Sequence, residues 1–578
     1  MTSTGSLDAI DWWVIGAYLA LSFAIGLVFA RRAGASMSEF FLSGRNLPWW
    51  LAGTSMVATT FAADTPLAIT GEVARHGISG NWLWWNVAIS GVLGVVVFAR
   101  LWRRAGILTD LELIELRYSG RPARALRGFR AVYEGVFLNG ITLGWVLLAI
   151  VKLAGVFLPL DKGTILLVCG GVALLYTVLS GFWGVVVTDL LQFIISMGGA
   201  IYLAFRAVGA AGGIAAIKEA LPPEKLAFLP SFDAGSLPVT AFVAFIGVNW
   251  WASKSADSGG YLAQRVLATR DERQAVLSSL WFQVAHYALR SWPWILAGLA
   301  SLVLFPDLPD PELGYPKLVA ELLPAGLRGL LVASFLAAFM STVDTHLNWG
   351  ASYVINDLYK RFYRPQASEG ELVLASRIAI VLLLGVAGLF AWSMDSVAGA
   401  WKLLYQLTAG IGGVYILRWF HWRVNAWSEI AAWISSAALT LGLAWLSPDL
   451  PFGPRLLITG LGSSVCWLAV TWLTPATDDE VLVAFYRRVR PRSSGWRRIA
   501  ELSAVAGSSG LGDGVEAGAG TPFDEGGSDL LEWLLGVVMI YALLFGAGKT
   551  LLGEWGVGVA GLVLGVSLLV RFVRRTRS

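Results

Sequence analysis

Residues 51–66 read LAGTSMVATTFAADTP and lie inside an apolar run at 50–74. Pro66 has no backbone N–H, so the carbonyl of Ala62 loses its helical partner and the proline ring forces the helix open. Backbone carbonyls freed inside a membrane are tolerated only where they line a protein cavity, and such hard oxygens suit a sodium ion. The stretch, with Asp64 beside the proline, therefore predicts a broken membrane helix at 58–66. An ordinary proline kink is the alternative interpretation.

Apolar runs continue outward from this stretch over most of the chain. Of the 578 residues, 56% are hydrophobic and 14% are charged, and the mean hydropathy is +0.66, whereas a soluble domain carries about 25% charged residues. Runs long enough to cross a bilayer as a helix predict fifteen spans, at 11–30, 50–74, 82–100, 132–157, 163–180, 184–206, 237–253, 276–304, 328–356, 378–394, 396–417, 427–446, 456–473, 530–547 and 554–570. The sequence therefore indicates an all-α polytopic membrane protein. It excludes soluble enzymes, disordered chains and disulfide scaffolds.

Basic residues orient these spans in the bilayer. With the N-terminus outside and the C-terminus inside, 31 Lys and Arg residues fall in or at the edge of cytoplasmic segments and 9 in or at the edge of external ones, as the positive-inside rule requires. Asp8 and Asp11 precede the first span and Arg31 and Arg32 follow it, which reverses the pattern of a secretory signal peptide. Orientation in the membrane therefore accounts for the net charge of +4, and we expect no nucleic-acid partner.

Ionisable side chains inside the predicted spans mark candidate sites, because a carboxylate at mid-span costs about 2.5–3.5 kcal/mol. They are Asp64, Asp189, Asp344, His346, Lys402, Lys152 and Arg290. Each is either part of a functional site or a structural charge with a partner. For Asp189, the structural alternative is a pair with a lysine from another helix, such as Lys152 or Lys402.

The span at 328–356 carries a second candidate, the stretch AAFMST at 337–342. Its small residues allow another helix to approach closely, and the adjacent hydroxyls of Ser341 and Thr342 offer two further oxygen ligands. The alternative is that both hydroxyls bond back to their own helix.

Several short motifs occur along the chain in a fixed order. They are FLSGR at 41–45, the stretch at 58–71, YTVLSG at 176–181 leading to Thr188 and Asp189, GYLAQR at 260–265 and AAFMST at 337–342. This ordered set, over roughly residues 10–475, resembles the sodium/solute symporter family, which includes sodium/proline and sodium/galactose transporters. The resemblance implies a core of two inverted five-helix repeats, spans two to six and seven to eleven, with a solute site beside a sodium site.

The resemblance also implies residues that bind sodium. The implied ligands are the backbone carbonyls of Ala58, Phe61 and Ala338 and the hydroxyls of Ser341 and Thr342. Asp189 matches a family aspartate of the sodium pathway.

For the solute, the resemblance points to Asp64 and Thr65, which fall where sugar-transporting relatives have polar contacts. The residue types at these two positions differ from those of the relatives, so the solute class stays open. Trp251 is a further candidate, because its ring offers a face to a sugar or a cation. Asp64 disfavours an anionic solute, since two desolvated negative charges repel. Sugars, polyols, neutral amino acids and cationic amines remain.

The expected domain organisation follows from these spans. It comprises an extra helix and cytoplasmic loop at 1–49, an inverted-repeat transport core at 50–420, two additional helices at 421–473, a flexible cytoplasmic linker at 474–529 and two appended helices at 530–578. The linker is predicted from its Gly, Ser and Ala stretch at 506–527.

The leading hypothesis is a sodium-coupled symporter, surrounded by lipid, that imports a small polar organic solute across the cytoplasmic membrane with Na⁺ as the co-transported ion. One alternative is a polytopic membrane enzyme, such as a lipid-linked glycosyl transferase that uses Asp64 or Asp344 as an acid or base. Another is a transporter-like sensor. Carboxylates inside spans disfavour the enzyme, which needs them in a loop at the membrane face. The segment 474–529 is too short and too rich in glycine for a kinase domain.

Overall fold

The structure is a computed structural model that describes residues 7–33, 42–232, 235–508 and 526–576. Within these ranges the ordered elements are helices, and the one bridge between extended residues joins Leu47 to Thr269. The prediction of an all-α protein is confirmed.

The helices are numbered here in chain order. Those before residue 270 are α1 (Ala9–Ala33), α2 (Trp49–Thr59), α3 (Asp64–His76), α4 (Ile78–Trp85), α5 (Ala88–Ala105), α6 (Glu112–Arg117), α7 (Gly120–Phe157), α8 (Lys162–Ala210), α9 (Gly213–Ala220), α10 (Pro223–Leu226), α11 (Val239–Ala252) and α12 (Tyr261–Leu267). Those after it are α13 (Glu272–Leu304), α14 (Gly314–Leu322), α15 (Leu327–Tyr363), α16 (Glu369–Ser393), α17 (Val397–Thr408), α18 (Gly412–Phe420), α19 (Ala426–Leu446), α20 (Phe452–Leu473), α21 (Asp479–Val489), α22 (Arg497–Ser508), α23 (Gly526–Leu551) and α24 (Trp555–Arg575).

Nine helices in the described ranges are long and apolar enough to cross a membrane, and the bent pair α4 and α5 would make ten. This number is smaller than fifteen because several predicted spans are interrupted. The run at 50–74 forms α2 and α3, and the run at 396–417 forms α17 and α18. The runs at 163–180 and 184–206 lie in the single helix α8. The count of fifteen and the inverted repeats therefore stay predictions.

The centre of the bundle is formed by α15, with α8 beside it. They pack along each other, and α8 also contacts α1, α2 and α13. In the most apolar part of α15, 89% of the residues are buried, against 17% in α24. The polar side chains of α15 are therefore enclosed by protein, whereas most of α24 is left uncovered.

The segment after α20 differs from the predicted flexible linker in its first half. α21 buries Leu482, Phe485 and Val489 on one face, a spacing that places them along one side of a helix. Trp496 is also buried, and its indole N–H donates to the carbonyl of Trp419 at 2.8 Å. Residues 474–508 are therefore packed on the core. Most of the Gly, Ser and Ala stretch lies outside the described residues.

The appended helices α23 and α24 pack against each other, and hydrogen bonds attach α23 to the core. The indole N–H of Trp533 donates to the carbonyl of Ile89 at 2.8 Å. The hydroxyl of Tyr541 donates to the carbonyl of Trp85 at 2.9 Å. From the core, the indole N–H of Trp292 donates to a carbonyl of α23 at 2.8 Å. These contacts hold α23 beside α4, α5 and α13.

Candidate functional site

The predicted break is present, and it separates α2 from α3 by residues 60–63. The Thr60 hydroxyl lies 3.1 and 2.9 Å from the carbonyls of Met56 and Val57 in the last turn of α2. Pro66 lies in the first turn of α3, where a missing N–H costs no hydrogen bond. Pro66 therefore belongs to the first turn of α3, and the interruption at 60–63 precedes it.

Some of the backbone carbonyls at this break accept hydrogen bonds from local turns. The Ala62 carbonyl, predicted to be free, accepts from the N–H of Thr65 at 3.3 Å, and the Ala58 carbonyl accepts from the N–H of Phe61 at 2.9 Å. The N–H of Thr60 also points to the Ala58 carbonyl, so the turn engages this implied ligand within its own segment. The Phe61 ring packs edge-on against Trp294, with 4.8 Å between ring centres.

The hydroxyl pair of α15 reaches the end of α2. Thr342 Oγ1 lies 3.0 Å from the carbonyl of Thr59 and 2.9 Å from the carbonyl of Ala338. Ser341 Oγ donates to Asp189 of α8. The structure thus brings the implied α15 ligands Ala338, Ser341 and Thr342 to the last turn of α2, which contains Ala58. The groups that meet there are carbonyl, hydroxyl and carboxylate oxygens, the donor set that a hard cation prefers.

Asp189 joins three helices at this point. Its side chain is 0% exposed, and it accepts hydrogen bonds from Ser55 of α2, at 2.6 Å, and from Ser341 of α15. Burial of a carboxylate is costly unless its charge is compensated. Asp189 therefore places a negative charge directly beside an implied sodium ligand.

The proposed lysine partners of Asp189 lie elsewhere. Lys152 pairs with Asp310 at 2.8 Å and with Glu312 at 2.7 Å, and Lys402 pairs with Glu72 at 2.9 Å. The structural alternative for Asp189 is wrong in this respect, because both lysines are held near the end of α3 that is remote from the break.

A buried arginine that the sequence analysis did not select lies near Asp189. Arg265 of α12 donates to Thr59 Oγ1 at 3.0 Å and to Thr345 Oγ1 at 2.8 Å, and it interacts electrostatically with Asp189. Its position in the motif GYLAQR was the available signal. Sequence alone does not reveal that this motif packs against the break.

Arg290 is the second buried cation at the break. One of its guanidinium nitrogens lies 3.0 Å from both the carbonyl of Val57 and the hydroxyl of Thr60. The guanidinium also lies 5.4 Å from the ring centre of Trp294, and its charge interacts with Asp64. Arg290 therefore caps α2 and balances the carboxylate that begins α3.

Asp64 and Thr65 line a cavity of about 260 Å³ that begins at the break. The Thr65 hydroxyl lies 3.2 Å from Asp64 Oδ1 and 3.2 Å from the carbonyl of Thr60. Trp145, Trp401 and Tyr405 are among the aromatic side chains of the wall. The cavity therefore offers an acceptor, donors and aromatic faces to a small molecule.

Trp251 does not line this cavity. Its indole N–H donates to the carbonyl of Gly247 in its own helix at 2.7 Å, and its ring would contact a Cβ added at Gly413 of α18. The structure therefore does not bring Trp251 to Asp64 and Thr65, because the indole is turned back onto α11.

The two remaining ionisable candidates have partners within the protein. The carboxylate of Asp344 accepts from the side-chain amide of Asn348 at 2.7 Å, and Asp344 does not line the cavity. His346 does line it, and its Nδ1 lies 2.7 Å from the side-chain oxygen of Asn139.

The cavity extends toward one end of the bundle, which we call the arginine-rich end. Its wall there includes Asp110, Arg130, Glu134 and Arg418. The guanidinium of Arg130 donates a hydrogen bond to the carboxylate of Glu134. Burial raises the pKa of Asp110, although the charge of Arg130 opposes this shift. Exposed Ser255 also lies in the wall, so the cavity reaches the surface at this end.

At the opposite end, the carboxylate of Glu312 joins α7 to the start of α17. Its carboxylate accepts from Lys152, from the hydroxyl of Ser396 at 2.9 Å, and from the N–H groups of Val397 and Ala398 at 3.2 and 3.1 Å. These partners belong to α7 and to the start of α17. None of these five residues lines the cavity.

A family model and individual proteins match this chain. The model of the sodium:solute symporter family matches residues 40–434. The chain is 28% identical to the sodium/mannose cotransporter of Bos taurus, over 77% of this chain and 81% of that protein. It is 26% identical to the sodium/glucose cotransporter of Vibrio parahaemolyticus, over 82% of this chain and 92% of that protein. It is 28% identical to sodium/myo-inositol cotransporter 2 of Oryctolagus cuniculus, over 77% of this chain and 71% of that protein.

A solved structure shares the fold. It is a Na⁺-coupled sialic acid symporter in a substrate-bound, outward-open state, with a TM-score of 0.69 and 21% identity. The match covers 82% of this chain and 99% of that one. At this identity the likeness concerns the fold alone.

Proposed function

The chain belongs to the sodium:solute symporter family, and on this basis we propose that it imports a small polar organic solute across the cytoplasmic membrane. It is an integral membrane transporter and not an enzyme, and Na⁺ is the co-transported ion. One Na⁺ that crosses about 100 mV releases about 2.3 kcal/mol, and a tenfold concentration gradient adds about 1.4 kcal/mol. The sum is enough to concentrate a solute several hundredfold at perfect coupling.

The observation that carries the proposal is the contact of the α15 hydroxyls with the end of α2. Thr342 lies on the carbonyl of Thr59, and Ser341 lies on Asp189. We place the sodium ion among Ala58, Phe61, Ala338, Ser341 and Thr342. Asp189 lies beside this site as the charge on the sodium pathway.

The solute site in this proposal is the cavity that begins at Asp64 and Thr65. Asp64 accepts hydrogen bonds, Arg290 and Thr65 donate them, and the aromatic wall can cover the apolar face of a sugar ring. Relatives named for mannose, glucose and myo-inositol favour a sugar or a polyol over an amino-acid-like solute. Trp251 is left out of the site because of its position.

The repeat organisation and orientation belong to the same proposal. The first helix of each expected repeat is interrupted, at 60–63 and at 253–260, as two inverted copies would be. The arginine-rich end is placed in the cytoplasm, with the N-terminus outside and the C-terminus inside.

Uptake into sealed proteoliposomes tests this function. We expect a sugar or polyol to accumulate only when sodium is higher outside, and the accumulation to collapse with a sodium ionophore. Equal uptake with a potassium gradient would contradict sodium coupling. Solute turnover into a product, without accumulation, would support the membrane enzyme instead.

Loss of either α15 hydroxyl is expected to weaken sodium binding. Ser341→Ala and Thr342→Ala each remove one neutral ligand, which corresponds to about 5- to 150-fold in apparent sodium affinity. Sodium-dependent uptake and sodium-induced thermal stabilisation measure this change in apparent sodium affinity. Ser334→Ala is the matched control, because Ser334 lies on the same helix and bonds back to the carbonyl of Leu331 at 2.8 Å. Wild-type sodium dependence in both test variants would remove α15 from the sodium site.

Asp64→Asn is expected to change solute affinity more than sodium affinity. The carboxylate lies beyond the break and lines the cavity, so the substitution removes a strong acceptor from the solute, worth about tenfold or more. Solute affinity comes from uptake, and sodium affinity from tryptophan fluorescence quenching without solute. Asp310→Asn, a carboxylate exchange at the opposite end, is the control. A large loss of sodium binding without solute would instead place Asp64 at the sodium site.

A further inference from the structure

A second cavity, of about 330 Å³, lies at the arginine-rich end beside the appended helix α23. One wall is a face of α5, and the facing wall is the start of α23. The chain at 491–494 and the side chains of Trp419 and Phe420 close the cavity. No residue of this cavity belongs to the solute cavity described above.

The α5 wall changes from apolar to basic along its length. Leu93, Val96 and Val97 come first, and Arg100 and Arg104 follow. This spacing of three and four residues places all of them on one side of a helix, and Leu93 lies about 10 Å from Arg100 along the axis. The cavity therefore has an apolar part toward the middle of the bundle and a cationic part at its end.

The cationic part has more positive than negative charge. Among the described residues, Arg100, Arg104 and Arg492 line it with the carboxylate of Asp529, and Glu272 lies next to Arg104. Arg104 is held by Glu272 at 2.8 Å. Arg100 is half-buried, and in the described ranges it forms no hydrogen bond or ion pair, although its charge interacts with those of Arg104 and Arg492 and with the carboxylates of Glu272 and Asp529. Its guanidinium therefore has donors available for an anion.

The apolar part is completed by α23. Leu530 is 56% exposed, and the indole of Trp533 spans from the cavity wall to the carbonyl of Ile89 on α5. An apolar slot that ends in arginines matches a molecule with a hydrocarbon chain and an anionic head. Arginine suits a phosphate in particular, because its planar fork donates two parallel hydrogen bonds.

We propose that this cavity binds one anionic phospholipid. The headgroup phosphate lies on Arg100, with Arg104 and Arg492 beside it, and an acyl chain follows Leu93, Val97 and Trp533. The lipid fills the space between α5 and α23 and so stabilises the attachment of the appended helices to the core. Anionic lipids of the cytoplasmic leaflet are the source, since the arginine-rich end faces that leaflet in the proposed orientation.

Thermal unfolding of the full-length protein in detergent tests the proposal, without sodium or solute, so the outcome is independent of transport. We expect phosphatidylglycerol to raise the unfolding midpoint more than phosphatidylcholine does. For Arg100→Gln, we expect the concentration of phosphatidylglycerol at half effect to rise about tenfold or more. Val97→Trp keeps every charge but fills the apolar part, and we expect it to remove the difference between the two lipids.

The controls separate this site from general charge effects. Arg124→Gln removes an exposed arginine of α7 at the same end and is expected to respond to phosphatidylglycerol like the wild type. Equal losses in Arg124→Gln and Arg100→Gln would overturn the proposal. A wild-type lipid response in both Arg100→Gln and Val97→Trp would also overturn it. So would equal stabilisation by water-soluble glycerol phosphate, which would identify a site for free phosphate.

Discussion

Replacement of Asp189 by asparagine is expected to weaken the apparent sodium affinity of uptake by about 10- to 150-fold and to slow turnover. Asparagine keeps the size of the side chain and one acceptor oxygen, but it removes the negative charge beside Ser341. A cation that passes or occupies the adjacent site loses its main electrostatic partner. Sodium-dependent uptake and solute-free sodium binding measure the effect.

Two control variants show whether the charge or the packing of Asp189 matters. Ser55→Ala removes one hydrogen bond of 2.6 Å but keeps the carboxylate, so we expect a much smaller change in sodium affinity. Asp357→Asn breaks a buried pair with Arg127, joined at 2.7 Å outside the site, and is expected to lower stability at unchanged sodium dependence. If Asp189→Asn behaves like Asp357→Asn, the carboxylate is structural.

Arg290→Met is expected to lower the free energy of unfolding by about 3–5 kcal/mol and to abolish uptake. The substitution leaves the Val57 carbonyl without its arginine partner and Asp64 without the neighbouring positive charge. Methionine keeps much of the contact with the rings of Phe61 and Trp294, so the loss reflects charge and hydrogen bonding. Thermal unfolding of the purified protein and sodium-driven uptake measure the two effects.

The double variant Asp64→Asn/Arg290→Met separates the charge pair from the helix cap. If the two charges compensate each other, the double variant is more stable than the sum of the single changes predicts. Arg290→Lys keeps the charge but has no planar fork, and we expect part of the stability to return. Wild-type stability and uptake in Arg290→Met would show that the break needs no cation.

The sequence predicts the broken helix well because its determinants are local. Pro66 and the preceding small residues lie within one short stretch, and the interruption occurs at 60–63. The pair Ser341 and Thr342 was likewise visible as two adjacent hydroxyls in an apolar span. The contacts of Arg265 and Arg290 with the break were not predictable, because they depend on which helices become neighbours.

Trp251 and the segment 474–508 illustrate two further limits. A tryptophan in a span is compatible with a solute site, with lipid or with its own helix, and only packing decides among them. In 474–508, charge and glycine suggested a linker, while Leu482, Phe485 and Val489 on one face provide enough apolar contact to hold a helix on the core. Averaged composition does not resolve such a short amphipathic face.

In the proposed orientation, the contacts around Glu312 have a consequence for the sodium affinity that the transporter presents to the exterior. In the proposed transport cycle, access to the break from that end requires the four hydrogen bonds of Glu312 to separate. At about 0.5–1.5 kcal/mol each, these bonds oppose opening by about 2–6 kcal/mol. The closed form then outnumbers the externally open one by about 30-fold or more. External sodium meets only this small competent fraction, so its apparent dissociation constant exceeds the intrinsic one by the same factor. In this proposal, a carboxylate outside the sodium and solute sites thereby contributes to the sodium concentration at which the transporter works.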